Sequence, residues 1–206
     1  QAKNKEYFLG EVQKACCETV EVVSGEMEAE LGYLGALNGD DGGVIDVGGA
    51  SSEVIVVKGG KVVYCKSVNI GAVRIKDLAG QDKRTVEKLV LQSVEEYGSV
   101  PKAKFYAIGG TATTISAILQ ELDPYDPSKT HGYVIERGAL EKLTDKLFSM
   151  SVEDRKKLKG LQPERAEVIA GGASVLLAIM DKLKISNFTV SESDNLEGYL
   201  MTKLEK

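Results

Sequence analysis

An apolar run that ends in an acid and then breaks on paired glycines constrains this chain more than any other segment: Val44-Ile45-Asp46-Val47-Gly48-Gly49-Ala50-Ser51-Ser52-Glu53. The β-branched residues of Val44–Val47 favour a strand. Two further runs follow closely, Val54–Val57 and Val62–Lys66, and Gly59-Gly60 between them marks a tight hairpin. Glycines let backbone amides approach an anion with no Cβ in the way, and consecutive amides in such a turn can form an anion-binding nest. Ser51 and Ser52 add hydroxyls, and Asp46 at the strand end is placed to hold Mg²⁺ directly or through water. A plain hairpin with an acid in its turn accounts for the same residues equally well.

The design recurs in Phe105-Tyr106-Ala107-Ile108-Gly109-Gly110-Thr111-Ala112-Thr113-Thr114: apolar strand, two glycines, hydroxyls, helix start. A helix N-terminus offers phosphate free N–H groups and a favourable dipole. An ordinary strand-to-helix turn capped by Thr111 is the plainer alternative. Two matching loops carry more weight than one, because a bridging phosphate chain needs holding from both sides. A third segment, Val23-Ser24-Gly25-Glu26-Met27-Glu28-Ala29-Glu30, places carboxylates at a helix start. One carboxylate beside a phosphate site can accept a proton from an attacking water. Acids in a first helical turn are also favoured by the dipole alone, and spacing by itself favours that reading.

Around these segments the pattern predicts a helix over 3–16 and a short strand at Val20, Val22 and Val23. Ser24 then caps a helix carrying Leu31, Leu34 and Leu37, which ends in a turn at 38–43, the candidate domain crossing. Further helices are predicted at 72–79, 83–97, after Gly110, and at 136–149, 151–158, 163–183 and 194–205. Strands are predicted at 104–108 and Ile185–Ser191, with a polar loop at 123–133. Mixed strands and helices place the chain in the α/β class.

The 206 residues are 43% hydrophobic and 28% charged, enough for a sizeable core. No stretch approaches the roughly 20 apolar residues of a membrane span. Gln1-Ala2-Lys3-Asn4 lacks a signal-peptide design, so a cytoplasmic location and no membrane partner are expected. A net charge of −5 without a basic run argues against nucleic acid. Cys16, Cys17 and Cys65 lack metal-type spacing and read as reduced structural thiols. His131 is the only histidine, which argues against a His-based triad or a His-rich metal centre. Tyr33, Tyr64 and Tyr106 read as packing residues, and Arg74 and Arg165 as arginines within reach of phosphate.

Taken together, the three segments resemble the exopolyphosphatase and guanosine pentaphosphate phosphohydrolase (Ppx/GppA) family of the actin-like ATPase (ASKHA) superfamily. The family's Ser-Gly-x-Glu-Glu-Ala is similar to Ser24-Gly25-Glu26-Met27-Glu28-Ala29. Its Asp-Ile-Gly-Gly-Gly-Ser-Thr-Glu is similar to Asp46-Val47-Gly48-Gly49-Ala50-Ser51-Ser52-Glu53, and its glycine-rich strand-to-helix loop to Gly109-Gly110-Thr111-Ala112-Thr113. Ile70-Gly71-Ala72-Val73-Arg74, and Pro163-Glu164-Arg165 ahead of Gly171-Gly172, fit in order and separation.

The resemblance implies an actin-like ATPase (ribonuclease H-like) subdomain with a mixed central sheet flanked by helices. It divides the chain into a first-subdomain remnant at 1–38, a second actin-like subdomain at 42–193 and a closing helix at 194–206. It implies Glu28 as the catalytic base and Asp46 as a ligand of Mg²⁺ or Mn²⁺. Phosphate would be held by Gly48, Gly49, Ala50 and Ser51 on one side and by Gly109, Gly110, Thr111, Ala112 and Thr113 on the other. The implied reaction releases terminal phosphate from inorganic polyphosphate or guanosine pentaphosphate by attack of water, with guanosine tetraphosphate as a further ligand and a homodimer as a known family habit. Three positions depart from the pattern: Met27 replaces the first Glu of the pair, Ala50 the third Gly, and Leu196 an Arg. The family also carries an earlier subdomain of roughly a hundred residues with its own phosphate loop. The chain is therefore expected to be a fragment that turns over poorly by itself. A non-catalytic alarmone or polyphosphate sensor, favoured by Met27 and Leu196, and a sugar-kinase-like phosphotransferase are the competing readings.

Overall fold

The computed structural model describes residues 4–16, 20 and 22–204. A six-stranded mixed sheet lies at its centre: β1 (Gly42–Val47), β2 (Ser52–Lys58), β3 (Lys61–Val68), β4 (Phe105–Ile108), β5 (Val134–Glu136) and β6 (Asn187–Val190), ordered β3-β2-β1-β4-β6-β5. β1, β2 and β3 form an antiparallel meander, β4 runs parallel to β1 and β6 parallel to β4, and β5 closes the far edge antiparallel to β6.

Successive side chains of a strand point to opposite faces, and this alternation sorts the molecule. Ile45, Val47, Val54, Val56, Phe105 and Ala107 enter the larger core. There the sheet is covered by α3 (Ala72–Ala79), α4 (Lys83–Val94), α5 (Gly109–Leu119), α7 (Arg137–Ser149) and α9 (Ile169–Leu183). α9 is apolar nearly all round and correspondingly buried. Val44, Ile55, Val57 and Ile108 point the other way, into a smaller cluster under α2 (Gly25–Leu37) that includes Leu37, Ala29, Tyr33 and Tyr106. Asp46 has the parity of Val44, and Glu53 that of Ile55. Two acids thus face the thinly covered side of the sheet.

α10 (Asn195–Leu204) docks on α2, and glycine makes the contact. A Cβ at Gly35 would lie 2.0 Å from the Asp194 carbonyl oxygen, and one at Gly198 would lie 1.9 Å from the Leu31 carbonyl oxygen. Backbone cannot yield as a side-chain tip can, so Gly198→Ala is expected to push α10 off α2 at a cost of about 1–3 kcal/mol. Faster amide exchange across α10 together with a lower Tm would record it; unchanged protection of α10 would refute the contact.

Several expectations need correction. Val20, Val22 and Val23 are exposed and form no strand, pairing with none of the six strands of the sheet. The predicted loop at 123–133 holds the short helix α6 (Pro127–Thr130), and β5 follows it at Val134–Glu136. The helix predicted at 151–158 is only α8 (Val152–Arg155), and that at 163–183 is a 3₁₀ turn, Pro163–Arg165, followed by α9. Helix α1 (Lys5–Cys16) buries none of its side chains. Cys16 and Cys65 stand exposed rather than packed as structural thiols, and Cys17 lies outside the described residues. Among the described residues no helix is long and apolar enough to cross a membrane.

Candidate active site

A cleft of about 390 Å³ opens between α2 and the sheet. Its floor is a single sheet face: Val44 and Asp46 of β1, Glu53 and Ile55 of β2, Cys65 and Ser67 of β3, and Ile108 of β4. The register explains the set, since Asp46 pairs with Glu53, Glu53 with Ser67, and Ile55 with Cys65. Gly25, Glu28, Ala29 and Gly32 of α2 form the roof, and Asn195 closes one end. Ser24 caps α2 by accepting a hydrogen bond from the Met27 amide at 3.2 Å, which holds the helix start where Glu28, one turn in, reaches the cleft.

The rim is the first glycine turn, through Gly48, Gly49 and Ser51. Its carbonyls are turned away from the cleft and held from behind. Gly48 O accepts from the Ala72 amide at 2.9 Å, Gly49 O from the amides of Val73 (2.9 Å) and Arg74 (3.0 Å), and Ala50 O from Arg74 Nε at 2.7 Å. The amides of Gly49, Ala50 and Ser51 are left with no acceptor among the described residues. This is the polarity an anion-binding turn requires. Arg74, expected to reach phosphate, secures through its Nε the turn that offers the amides.

Asp46 and Ile108 are partners on adjacent parallel strands, so the second glycine turn leaves the sheet beside the first. Gly109 opens α5 with φ +78°, and a Cβ there would come within 2.7 Å of Asp46 Oδ1, so both its conformation and the space around it require glycine. Gly110 lies under the guanidinium of Arg165, where a Cβ would overlap it. The Thr111 hydroxyl donates to Val47 O at 2.8 Å, and Ala112 is fully buried. Thr113 donates to Gly109 O at 3.3 Å. What this turn can present to a ligand is therefore its N-terminal amides and not the Thr111 hydroxyl.

The cleft is acidic. Burial above all, and with it the neighbouring carboxylates of Glu53, Glu28 and Asp194, pushes the Asp46 carboxyl up to about 7. Glu53 accepts a 2.5 Å hydrogen bond from Ser67 Oγ. Like charges directly opposite on paired strands repel, and a divalent cation would relieve the repulsion. Among the described residues no three His, Cys, Asp or Glu side chains are grouped as a complete ion site. The donor set fits a Mg²⁺-type ion held by one or two carboxylates, with the remaining positions left to water and phosphate oxygens.

Glu28, Asp46, Gly48, Gly49 and Ser51 thus meet in one cleft; Ala50 belongs to its rim turn and Gly109 lies beside Asp46, while Gly110, Thr111, Ala112 and Thr113 do not line it. Sequence reasoning assigned no role to Glu53 and Asn195, which line the cleft, or to Asp194, whose charge acts on Asp46. The parity shared by Asp46 and its hairpin partner was a usable signal for Glu53. No sequence signal placed Asp194 and Asn195 beside α2.

A model of the Ppx/GppA phosphatase family matches residues 1–206. An exopolyphosphatase 2 of Mycobacterium tuberculosis is 32% identical over 88% of the chain and 63% of its own length. A guanosine-5'-triphosphate,3'-diphosphate pyrophosphatase of Aeromonas salmonicida is 27% identical over 97% of the chain and 42% of its own length. Among solved structures, the Ppx/GppA family member of Aquifex aeolicus superposes with TM-score 0.86 at 30% identity, covering 99% of this chain and 70% of that one. The chain thus spans less than two thirds of either curated relative.

Proposed function

The chain belongs to the Ppx/GppA phosphatase family, and from that premise we propose that its cleft hydrolyses the terminal phosphoanhydride of inorganic polyphosphate or guanosine pentaphosphate. The observation that carries the reading is the convergence in one cleft of a helix-borne carboxylate, Glu28, an acid pair, Asp46 and Glu53, and a turn with outward amides. Glu28 takes the proton of the attacking water. The amides of Gly49, Ala50 and Ser51 and the N-terminus of α5 hold oxygens of the phosphate chain, so the transferred group meets preorganised donors. Asp46 and Glu53 would hold a divalent cation, whose contribution is to offset charge on the phosphoryl oxygens. Both relatives' names point to phosphoanhydrides, and the cleft residues suit any linear phosphate chain.

The test is phosphate release by the full-length protein, with Mg²⁺, from polyphosphate and from guanosine pentaphosphate in parallel. Release from either, abolished by chelation, is the expected result. Tight binding without release supports a sensor, and transfer of phosphate to a sugar from ATP supports a kinase; both overturn the proposal.

A further inference from the structure

Tyr97 ends the 3₁₀ turn Glu95–Tyr97 that follows α4, and its side chain is buried on the far side of β2 from the cleft. Its hydroxyl donates to the Ser52 carbonyl at 2.9 Å and lies 2.8 Å from Ser52 Oγ. Ser52 is fully buried and follows Ser51 directly, so these contacts grip the chain where it leaves the rim turn. Tyr97 is itself held, because the Tyr64 hydroxyl on β3 donates to the Tyr97 carbonyl at 2.6 Å. The turn is thus fastened twice. α3 and Arg74 hold the carbonyls of Gly48, Gly49 and Ala50, and Tyr97 holds the exit at Ser52.

Resting on the phosphate-cleft reading above, we propose that Tyr97 is a positioning residue that sets the direction of the Gly49–Ser51 amides and of Glu53 by clamping Ser52. Both neighbours of Ser52 face the cleft. The Ser52 carbonyl shares its peptide with the Glu53 amide, so release of that carbonyl shifts Glu53 against Asp46, and displacement of Ser52 carries Ser51 and the turn's amides with it. Among the described residues no other hydroxyl bonds either polar group of Ser52.

The experiment compares wild type, Tyr97→Phe and Leu147→Ala, the last being a buried residue of α7 in the larger core on the opposite side of the sheet from the cleft. Two readouts are taken at a temperature where all three are folded: amide exchange at Gly48, Ala72 and Val73, whose N–H groups donate to the turn, and the Kd for tripolyphosphate with Mg²⁺. Tyr97→Phe is expected to speed exchange at these amides and to weaken tripolyphosphate binding by about tenfold each, the effect of a lost buried hydrogen bond. Leu147→Ala is expected to lower Tm while leaving both readouts within about twofold, because its cavity is remote from the turn. The proposal is overturned if Tyr97→Phe lowers Tm alone, or if both variants move the turn equally. Failure of the wild type to bind tripolyphosphate would instead sink the phosphate reading, and the exchange comparison would still decide the role of Tyr97.

Discussion

Replacing Glu28 by Gln is expected to cut phosphate release by about 10²–10⁴-fold while leaving the fold intact. Gln keeps the shape and the helix propensity and removes the one property the role needs, a lone pair basic enough to take a proton from water. Glu28 is exposed on the roof of the cleft, and it is not the residue that caps α2, since Ser24 does that. Little stability should therefore depend on it. The expected pattern is a fall in kcat with a Kd for tripolyphosphate that is unchanged or tighter, because one negative charge facing the ligand has gone. Residual activity within about threefold of wild type, measured on the full-length protein, would remove Glu28 from the chemistry and leave Asp46 or Glu53 as the base.

For Asp46→Asn, stability and activity are expected to move in opposite directions. Burial and three neighbouring acids raise the Asp46 carboxyl to about 7, from an ordinary value of 3.8. The folded state therefore binds a proton more readily than the unfolded chain between those limits. With more protons bound folded than unfolded, stability falls as pH rises from about 4 to about 7, and above that window the full penalty of an ionised, crowded carboxylate is present. An asparagine side chain carries no charge to desolvate. The Tm of the variant should exceed that of the wild type at about pH 8 without divalent ions, and the two should converge near pH 4. Added Mg²⁺ should raise the wild-type Tm by mass action and leave that of the Asp46→Asn protein nearly unmoved, and phosphate release should be lost. Equal Tm curves on the alkaline side, or an undiminished Mg²⁺ response in the variant, would show that Asp46 is neither strained nor a cation holder.

The site was legible where a local pattern and a backbone rule coincide. Gly48-Gly49 and Gly109-Gly110 announce themselves because a turn that brings amides to a ligand excludes Cβ atoms, and the structure sets the two turns side by side since β1 and β4 are parallel neighbours. Ser24 signals the start of α2 through a cap that spans a single helical turn. Less was legible where a residue's job depends on a distant partner. The hold of Arg74 Nε on Ala50 O, across 24 positions, has no signal in the sequence. Thr111 looked like a ligand hydroxyl and is engaged with Val47 O. The strand expected at Val20, Val22 and Val23 has the composition of a strand, but composition does not supply a pairing partner, and these residues join none of the six strands. β5 was missed because so short a strand carries too little periodicity, although pairing with β6 suffices to order it.

The sequence by itself determined the α/β class, the strand–turn–strand and strand–turn–helix units, and the residue types at the cleft. Each of these follows from interactions spanning a few residues, namely alternation along a strand, glycine at a turn and a cap at a helix start. Only the tertiary structure decided that α10 lies backbone to backbone on α2 through Gly35 and Gly198, that Asn195 closes one end of the cleft and Asp194 acts on Asp46, and that Tyr97 grips Ser52 from beneath. Those contacts join residues dozens to more than a hundred positions apart. Their free energy comes from close packing and from satisfying buried polar groups in the assembled molecule, and no local pattern records either.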